Sequence, residues 1–317
     1  MNSRQDKDAH IERAVLNDGG MKVSLLNYGA ITQGWWINDT PLILGYDKPQ
    51  DYLTDPFYLG AIVGRVANRM GGAQFKLGDV QYALSANEGS NTLHGGVAGL
   101  SRQHWSLEQI SSVEAVLNYT SPDGENGFPG EVRFEVRVYL SFPRLTYSIS
   151  AQVDRPTPIS VAQHNYYSLG SDRNVSDNCL KLASNGFLDI DNQGIPSGLV
   201  RGVRENGLDF ISSKPIGDTA MDIDHYFVFA PNRDHQRPVA EVGAPSGFKL
   251  SVYSDQPGAQ VYTAAHLSDP FQSGAGLCIE PSGYPNAPNI SSFPAIICSP
   301  DNPYHQTLIL EISGGHA

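Results

Sequence analysis

Strict alternation of apolar and charged side chains over residues 131–138 is the feature that most restricts what this chain can fold into. Val132, Phe134, Val136 and Val138 alternate with Glu131, Arg133, Glu135 and Arg137. A period of two places the four apolar side chains on one face of an extended strand, whereas a helix would scatter them around its circumference. After Pro143, Leu145, Tyr147, Ile149, Ala151 and Val153 repeat the pattern, so the two segments are predicted to pair antiparallel across a turn. Further strands are predicted over residues 21–27, 30–37, 73–77, 80–84, 113–120, 248–253, 260–263, 277–280 and 307–312. Helical periodicity is not sustained over several turns anywhere. The 32 glycines and 21 prolines punctuate the strands roughly every eight to fifteen residues, as in a sandwich or barrel. The expected fold class is all-β.

All-β folds often reach roughly 200–250 residues or more as one unit, and no internal repeat, low-complexity tract or linker interrupts the chain. One domain over residues 1–317 is therefore expected. Residues 171–218 are richer in polar and turn residues, but the apolar segments among them point to an excursion from the same domain. The densest turn signal is Asp123-Gly124-Glu125-Asn126-Gly127-Phe128-Pro129-Gly130, a loop that could lie over a sheet face.

Charge narrows the partners. A formal balance of −12 with 17% charged residues disfavours nucleic acid or an anionic membrane surface and fits a protein acting on small neutral ligands. No apolar run approaches the ~20 residues of a spanning helix. The polar N-terminal stretch lacks the apolar core of a secretory signal. Cys179, Cys278 and Cys298 are too scattered for a disulfide framework or a zinc set, so buried reduced thiols and a cytoplasmic location are expected.

Chemistry concentrates at a few stations. Between Gly64 and Gly96 stand Arg65, Asn68 and Arg69, then Asn91, Leu93, His94, Gly95 and Gly96. Arg69 offers a planar fork of donors and His94 a ring that titrates near neutrality. His164 precedes two tyrosines, and such a histidine is either a satisfied structural residue or a proton-transfer group. Glu280 follows the apolar run Leu277-Cys278-Ile279, and an ionisable residue there must be exposed, paired or functional. Asp224 and Gln260 are polar residues set in other apolar strands.

The order and wording of these stations resemble the aldose 1-epimerase family. Its pattern of Gly-Arg, a small residue, Asn-Arg, a hairpin and Asn-x-Leu-His-Gly-Gly is met by Gly64, Arg65, Ala67, Asn68, Arg69, Asn91, Leu93, His94, Gly95 and Gly96, and Trp105 and the loop at 123–130 follow in order. The resemblance implies a large antiparallel β-sandwich, with Glu280 as general base, His164 as general acid, and Arg69, His94, Asp224, Gln260 and Asn68 as binders of a monosaccharide. Two proton-transfer groups suffice for such chemistry without a cofactor, the histidines lack the close paired spacing of a metal site, and a monomer or homodimer is expected. Gln163 stands where the family usually has Asn, and Ser282 where it commonly has Gln.

The implied chemistry is balanced. Interconverting anomers requires removing the proton of the anomeric hydroxyl while protonating the ring oxygen, then rotation about C1–C2 and reclosure. A carboxylate and an imidazolium suit these tasks, with reference pKa values of about 4.3 and 6.5, and Asp224 beside His164 is expected to favour the charged ring. A phosphosugar 1-epimerase would need extra cations, for which Arg65, Arg201 and Arg204 are candidates. A non-catalytic carbohydrate-binding protein would need no acid–base pair, and a glycosidase would need two carboxylates, such as Asp224 with Glu280.

Overall fold

The alternation over residues 131–138 lies in a strand, Val132–Ser141, that pairs antiparallel with Arg144–Val153, Val136 opposite Ile149. Every apolar position of that alternation is buried. The computed structural model describes residues 10–219 and 222–315. Among the described residues the helical elements are short 3₁₀ turns, as the absence of helical periodicity implied.

The chain forms a large antiparallel β-sandwich. A nine-stranded sheet runs Ser106–Gln109, Glu114–Ser121, Val132–Ser141, Arg144–Val153, Tyr304–Gly314, Phe248–Ser254, Ala240–Gly243, Cys179–Leu182 and Lys214–Pro215 in spatial order. A five-stranded sheet runs Pro196–Gly202, Ser184–Ile190, Asp224–Phe229, Gly258–Tyr262 and Cys278–Ser282. A third sheet, Arg13–Asp18, Met21–Leu26, Ile31–Ile37 and Thr40–Pro41, completes the framework. One apolar core joins inward side chains of all three, among them Val136, Ile149, Leu310, Phe227, Val261, Ile279 and Trp35.

Two departures from the predicted elements have physical causes. Residues 171–218 are not an excursion: they supply Cys179–Leu182 and Lys214–Pro215 to one sheet and Ser184–Ile190 and Pro196–Gly202 to another. Glycines and bulges hid them, since the register shifts between Ser184 and Gly186 and between Leu188 and Ile190 break the period of two. The predicted strand at 277–280 continues through Pro281 to Ser282. Cys278–Ser282 is the sheet's edge strand, where a proline's missing N–H is tolerated. The turn at 123–130 packs against the Arg65 guanidinium, which donates to Ser121 Oγ and to the carbonyls of Ser121, Pro122 and Pro129 at 2.9–3.0 Å.

Cys278–Ser282 is buried at every residue. Ile279 enters the main core, while Glu280 faces the opposite way. Truncating Ile279, fully buried in that core, is expected to cost about 2–5 kcal/mol of stability through lost burial and a residual cavity. Urea unfolding of Ile279→Ala checks this, and a loss under ~1 kcal/mol would mean the strand is not a core element.

Candidate active site

Three neighbouring strands lay out the floor. Antiparallel register sets Tyr226 opposite Gln260, Gln260 opposite Glu280, and Asp224 opposite Tyr262. Alternation then puts Asp224, Tyr226, Gln260, Tyr262, Cys278 and Glu280 on the face away from the core. Gln260 Nε2 donates to Asp224 Oδ1 at 2.5 Å, and Tyr226 Oη donates to the Ser282 carbonyl at 2.6 Å.

The segment from Gly64 to Gly96 forms one wall. Arg69–Met70 pairs with Thr92–Leu93, and the turns flanking this short ladder cross-link. His94 N–H donates to the Asn68 carbonyl at 3.0 Å, and Asn68 N–H donates to His94 Nδ1 at 3.1 Å. Asn68 Oδ1 accepts from Arg69 N–H at 2.7 Å. The following glycine is required by space: a Cβ on Gly95, which has φ +86°, would lie 1.8 Å from the Gly64 carbonyl oxygen. Arg69 is held by Glu88 in a two-pronged ion pair, Nε to Oε2 at 2.7 Å and Nη2 to Oε1 at 2.9 Å.

His164 arrives from the other side. The short strand Ala162–Gln163 pairs with Ile62–Val63, and the next residue turns its ring toward the floor. His164 Nε2 lies 3.7 Å from Glu280 Oε2, with both side chains about 5% exposed. Tyr58 stacks at 6.0 Å, Tyr166 lies at 5.1 Å and His94 packs edge-on at 5.3 Å between ring centroids. A cavity of about 170 Å³ is lined by Asn68, Arg69, Glu88, His94, His164, Asp224, Gln260 and Glu280, with Tyr58, Tyr166 and Tyr262. All seven residues expected from the sequence thus converge on one cavity.

Burial presses the two ionisable groups toward their neutral forms. It raises Glu280 to about 8, reinforced by Asp224 and opposed by Arg69, and lowers His164 to about 4. The expectation that Asp224 favours a charged His164 does not hold: desolvation dominates at the ring, and Asp224 acts on Glu280 instead. Across the intervening range the pair carries one proton, and burial favours its residence on the carboxyl. His94 is also pushed well below its ordinary value by burial, His164 and Arg69.

His94, His164 and Glu280 bring ligating atoms within 4.8 Å of one another, close enough to consider a metal. The hydrogen bonding argues against one. His94 Nδ1 accepts a main-chain N–H, so its neutral ring carries the proton on Nε2 and is a donor rather than a ligand. Such a donor suits a hydroxyl oxygen.

Glu88, Tyr58, Tyr262 and Cys278 were not singled out from the sequence. Glu88 lies among turn residues in Asn87-Glu88-Gly89-Ser90, where a charge is unremarked, and only its pairing with Arg69 marks it. Of the two tyrosines that follow His164, Tyr166 lines the cavity while Tyr167 lies in the core; Tyr226 is buried with its hydroxyl on the Ser282 carbonyl. Gln163 points behind the site, donating to the Gly60 carbonyl at 3.0 Å and to Asn165 Oδ1 at 2.9 Å. Its departure from the family's Asn therefore alters the support of the His164 turn rather than the cavity lining. Cys278 and Cys298 are buried free thiols, and Cys179 is partly exposed.

A family model described as aldose 1-epimerase matches residues 12–311. The chain is 30% identical to galactose mutarotase from Bos taurus, covering 96% of this chain and 94% of the relative. It is 32% identical to aldose 1-epimerase from Haemophilus influenzae, covering 86% of each. The crystal structure of galactose 1-epimerase from Lactobacillus acidophilus NCFM superposes with a TM-score of 0.88 at 26% identity, covering 100% of this chain and 98% of that one. A GalM/aldose epimerase homologue from C. elegans superposes with a TM-score of 0.92 at 23% identity, covering 97% and 100%, a likeness of fold.

The raised Glu280 pKa has a sign that stability measurements read. Below the ordinary carboxylate value the acid is neutral folded or unfolded; as pH rises from there toward about 8, folding must take up a proton and stability falls. Glu280→Gln lacks this dependence. Its thermal stability relative to the native chain is expected to be level near pH 4 and to rise by a few degrees toward pH 8. Parallel melting profiles across that range would rule out a neutral buried carboxyl.

Proposed function

We propose that this chain, which belongs to the aldose 1-epimerase family, is an isomerase that interconverts the α and β anomers of a free aldohexose such as galactose or glucose. The observation that carries the residue assignment is the approach of His164 Nε2 to Glu280 Oε2, 3.7 Å apart at the base of a cavity lined with hydroxyl-binding groups. At about 170 Å³, the cavity is smaller than the ~300–1,000 Å³ typical of drug-sized ligands and suits one monosaccharide.

In the proposed cycle the sugar binds with its anomeric hydroxyl at Glu280 and its ring oxygen at His164. Hydrogen bonds from the sugar, together with Arg69, favour the arrangement in which Glu280 is ionised and His164 protonated. Glu280 takes the O1 proton as His164 Nε2 gives its proton to O5, and the C1–O5 bond opens to the aldehyde. Glu280 is then neutral and His164 neutral, the arrangement that burial favours. Rotation about C1–C2 presents the other carbonyl face, and the same two transfers run backward to close the ring. No net proton is consumed.

Arg69 and His94 act as donors to hydroxyl oxygens, and Asp224 as an acceptor held by Gln260. Glu88 fixes the Arg69 fork so that it need not be ordered on binding. A phosphorylated substrate is not favoured. The Arg65 guanidinium is spent on Ser121 and main-chain carbonyls, while Arg201 pairs with Asp189 and Arg204 with Asp209, and none of the three lines the cavity. A binding protein without catalysis is the reading the variants below test.

On fresh α-D-galactose or α-D-glucose, polarimetry is expected to show Glu280→Gln and His164→Gln reduced about 10²–10⁴-fold in kcat. Near-native rates for Glu280→Gln would overturn the assignment of the base, and full activity of His164→Gln would point to His94 as the acid. Arg69→Ala removes a charge-assisted donor usually worth ~1.5–3 kcal/mol, so KM is expected to rise about 10–100-fold with a smaller change in kcat. Both parameters unchanged would mean the sugar does not reach Arg69.

A further inference from the structure

Cys278 and Glu280 lie two residues apart on the same face of one strand, and they face the two nitrogens of one imidazole. Cys278 Sγ is 3.7 Å from His164 Nδ1, and Glu280 Oε2 is 3.7 Å from His164 Nε2. Resting on the acid–base reading above, we propose that Cys278 is a positioning residue for the acid: its sulfur receives Nδ1–H of His164, leaving Nε2 as the nitrogen that gives and regains the proton.

The direction of the bond follows from the group that faces the ring's other nitrogen. Glu280 Oε2 lies 3.7 Å from Nε2, and burial favours the protonated form of that carboxyl. A neutral ring turned toward a protonated carboxyl presents its bare nitrogen to it and carries its own proton on the other, Nδ1. Cys278 Sγ, 3.7 Å from Nδ1, is then the acceptor of that proton. Tyr166 does not compete for it, since its Oη donates to the Phe57 carbonyl at 2.9 Å.

The remaining groups around the ring leave this arrangement undisturbed. Tyr58 and Tyr166 cover the ring broadside, His94 meets it edge-on and Glu280 faces Nε2. Cys278 is fully buried. Sulfur is a weak acceptor. A carboxylate at this position would strongly stabilise the imidazolium and make it a poorer acid; a thiol fixes the tautomer and stabilises the charged ring only modestly. Nδ1 keeps its proton through the whole cycle, and only the Nε2 proton moves.

Histidine 15N spectra of the native protein test the nitrogen assignment without turnover. Neutral His164 is expected to show a protonated, pyrrole-type Nδ1 and a bare Nε2, and the opposite tautomer would overturn the proposal. Kinetics test its consequence. Cys278→Ala is expected to lower kcat about tenfold, the size of one hydrogen bond at the reacting centre, with KM within about twofold, and to move the acid limb of kcat/KM to lower pH. Cys278→Ser restores an acceptor and is expected to recover much of kcat while moving that limb back up. Native kcat and an unmoved limb in Cys278→Ala would overturn the proposal, as would equal losses in both variants with no displacement of the limb. Should Cys278→Ala fail to fold, the native 15N spectrum decides alone. Failure of the acid–base reading is distinguishable: it shows as full activity of His164→Gln, whatever the tautomer.

Discussion

The desolvation of one carboxyl group, that of Glu280, is the constraint from which the rest of the site follows. An ionised carboxylate cannot be buried alone without a large penalty, and it either finds a partner or neutralises. Here the strand that carries it is covered twice, by the main core on the Ile279 side and by the cavity walls on the Glu280 side. Arg69 eases the penalty but does not cancel it, and Asp224 adds to it. The imidazole beside it is pressed the opposite way by the same burial. A carboxyl and an imidazole sharing one proton form a neutral pair, and a neutral pair is what this interior tolerates.

Such a pair matches the demands of ring opening and closing. The two arrangements of its single proton correspond to the closed and open sugar in the proposed cycle, and neither requires exchange with solvent. Interactions around the pair set the balance. Sugar hydroxyls and Arg69 favour the ionic arrangement, and burial favours the neutral one. The wall built by Asn68, His94 and Gly95 contributes rigidity, because its turns lock one another through main-chain and ring hydrogen bonds. Preorganised donors of this kind are worth more in a dry cavity than in water.

Much of this was legible in the sequence, and what was not has identifiable causes. Alternation over residues 131–138 and 145–153 set out the central strands because one face of each meets the core and the other meets solvent. Cys278–Ser282 lacks that contrast, being buried on both faces, so sequence showed an oddly placed Glu280 without showing which way it pointed. Strands among residues 171–218 were hidden by bulges and glycines. The converging residues were found because motif order fixes which stations belong together. Their electrostatics were not, since Asp224 was expected to raise His164, and only the depth of burial reverses that sign. Glu88 and Cys278 were missed because their meaning lies in partners brought to them by the fold, Arg69 across the turns of one wall and His164 from far along the chain.

The pH dependence of kcat/KM for anomer interconversion, corrected for the spontaneous reaction, tests the shared-proton pair most directly. A pair with apparent pKa values near 4 and 8 carries two protons below the first and lacks a base, and carries none above the second and lacks an acid. The account predicts a broad plateau bounded by single limbs near those values. An alkaline limb near the ordinary histidine value of ~6.5 would contradict it, because His164 would then titrate as an independent, solvated acid.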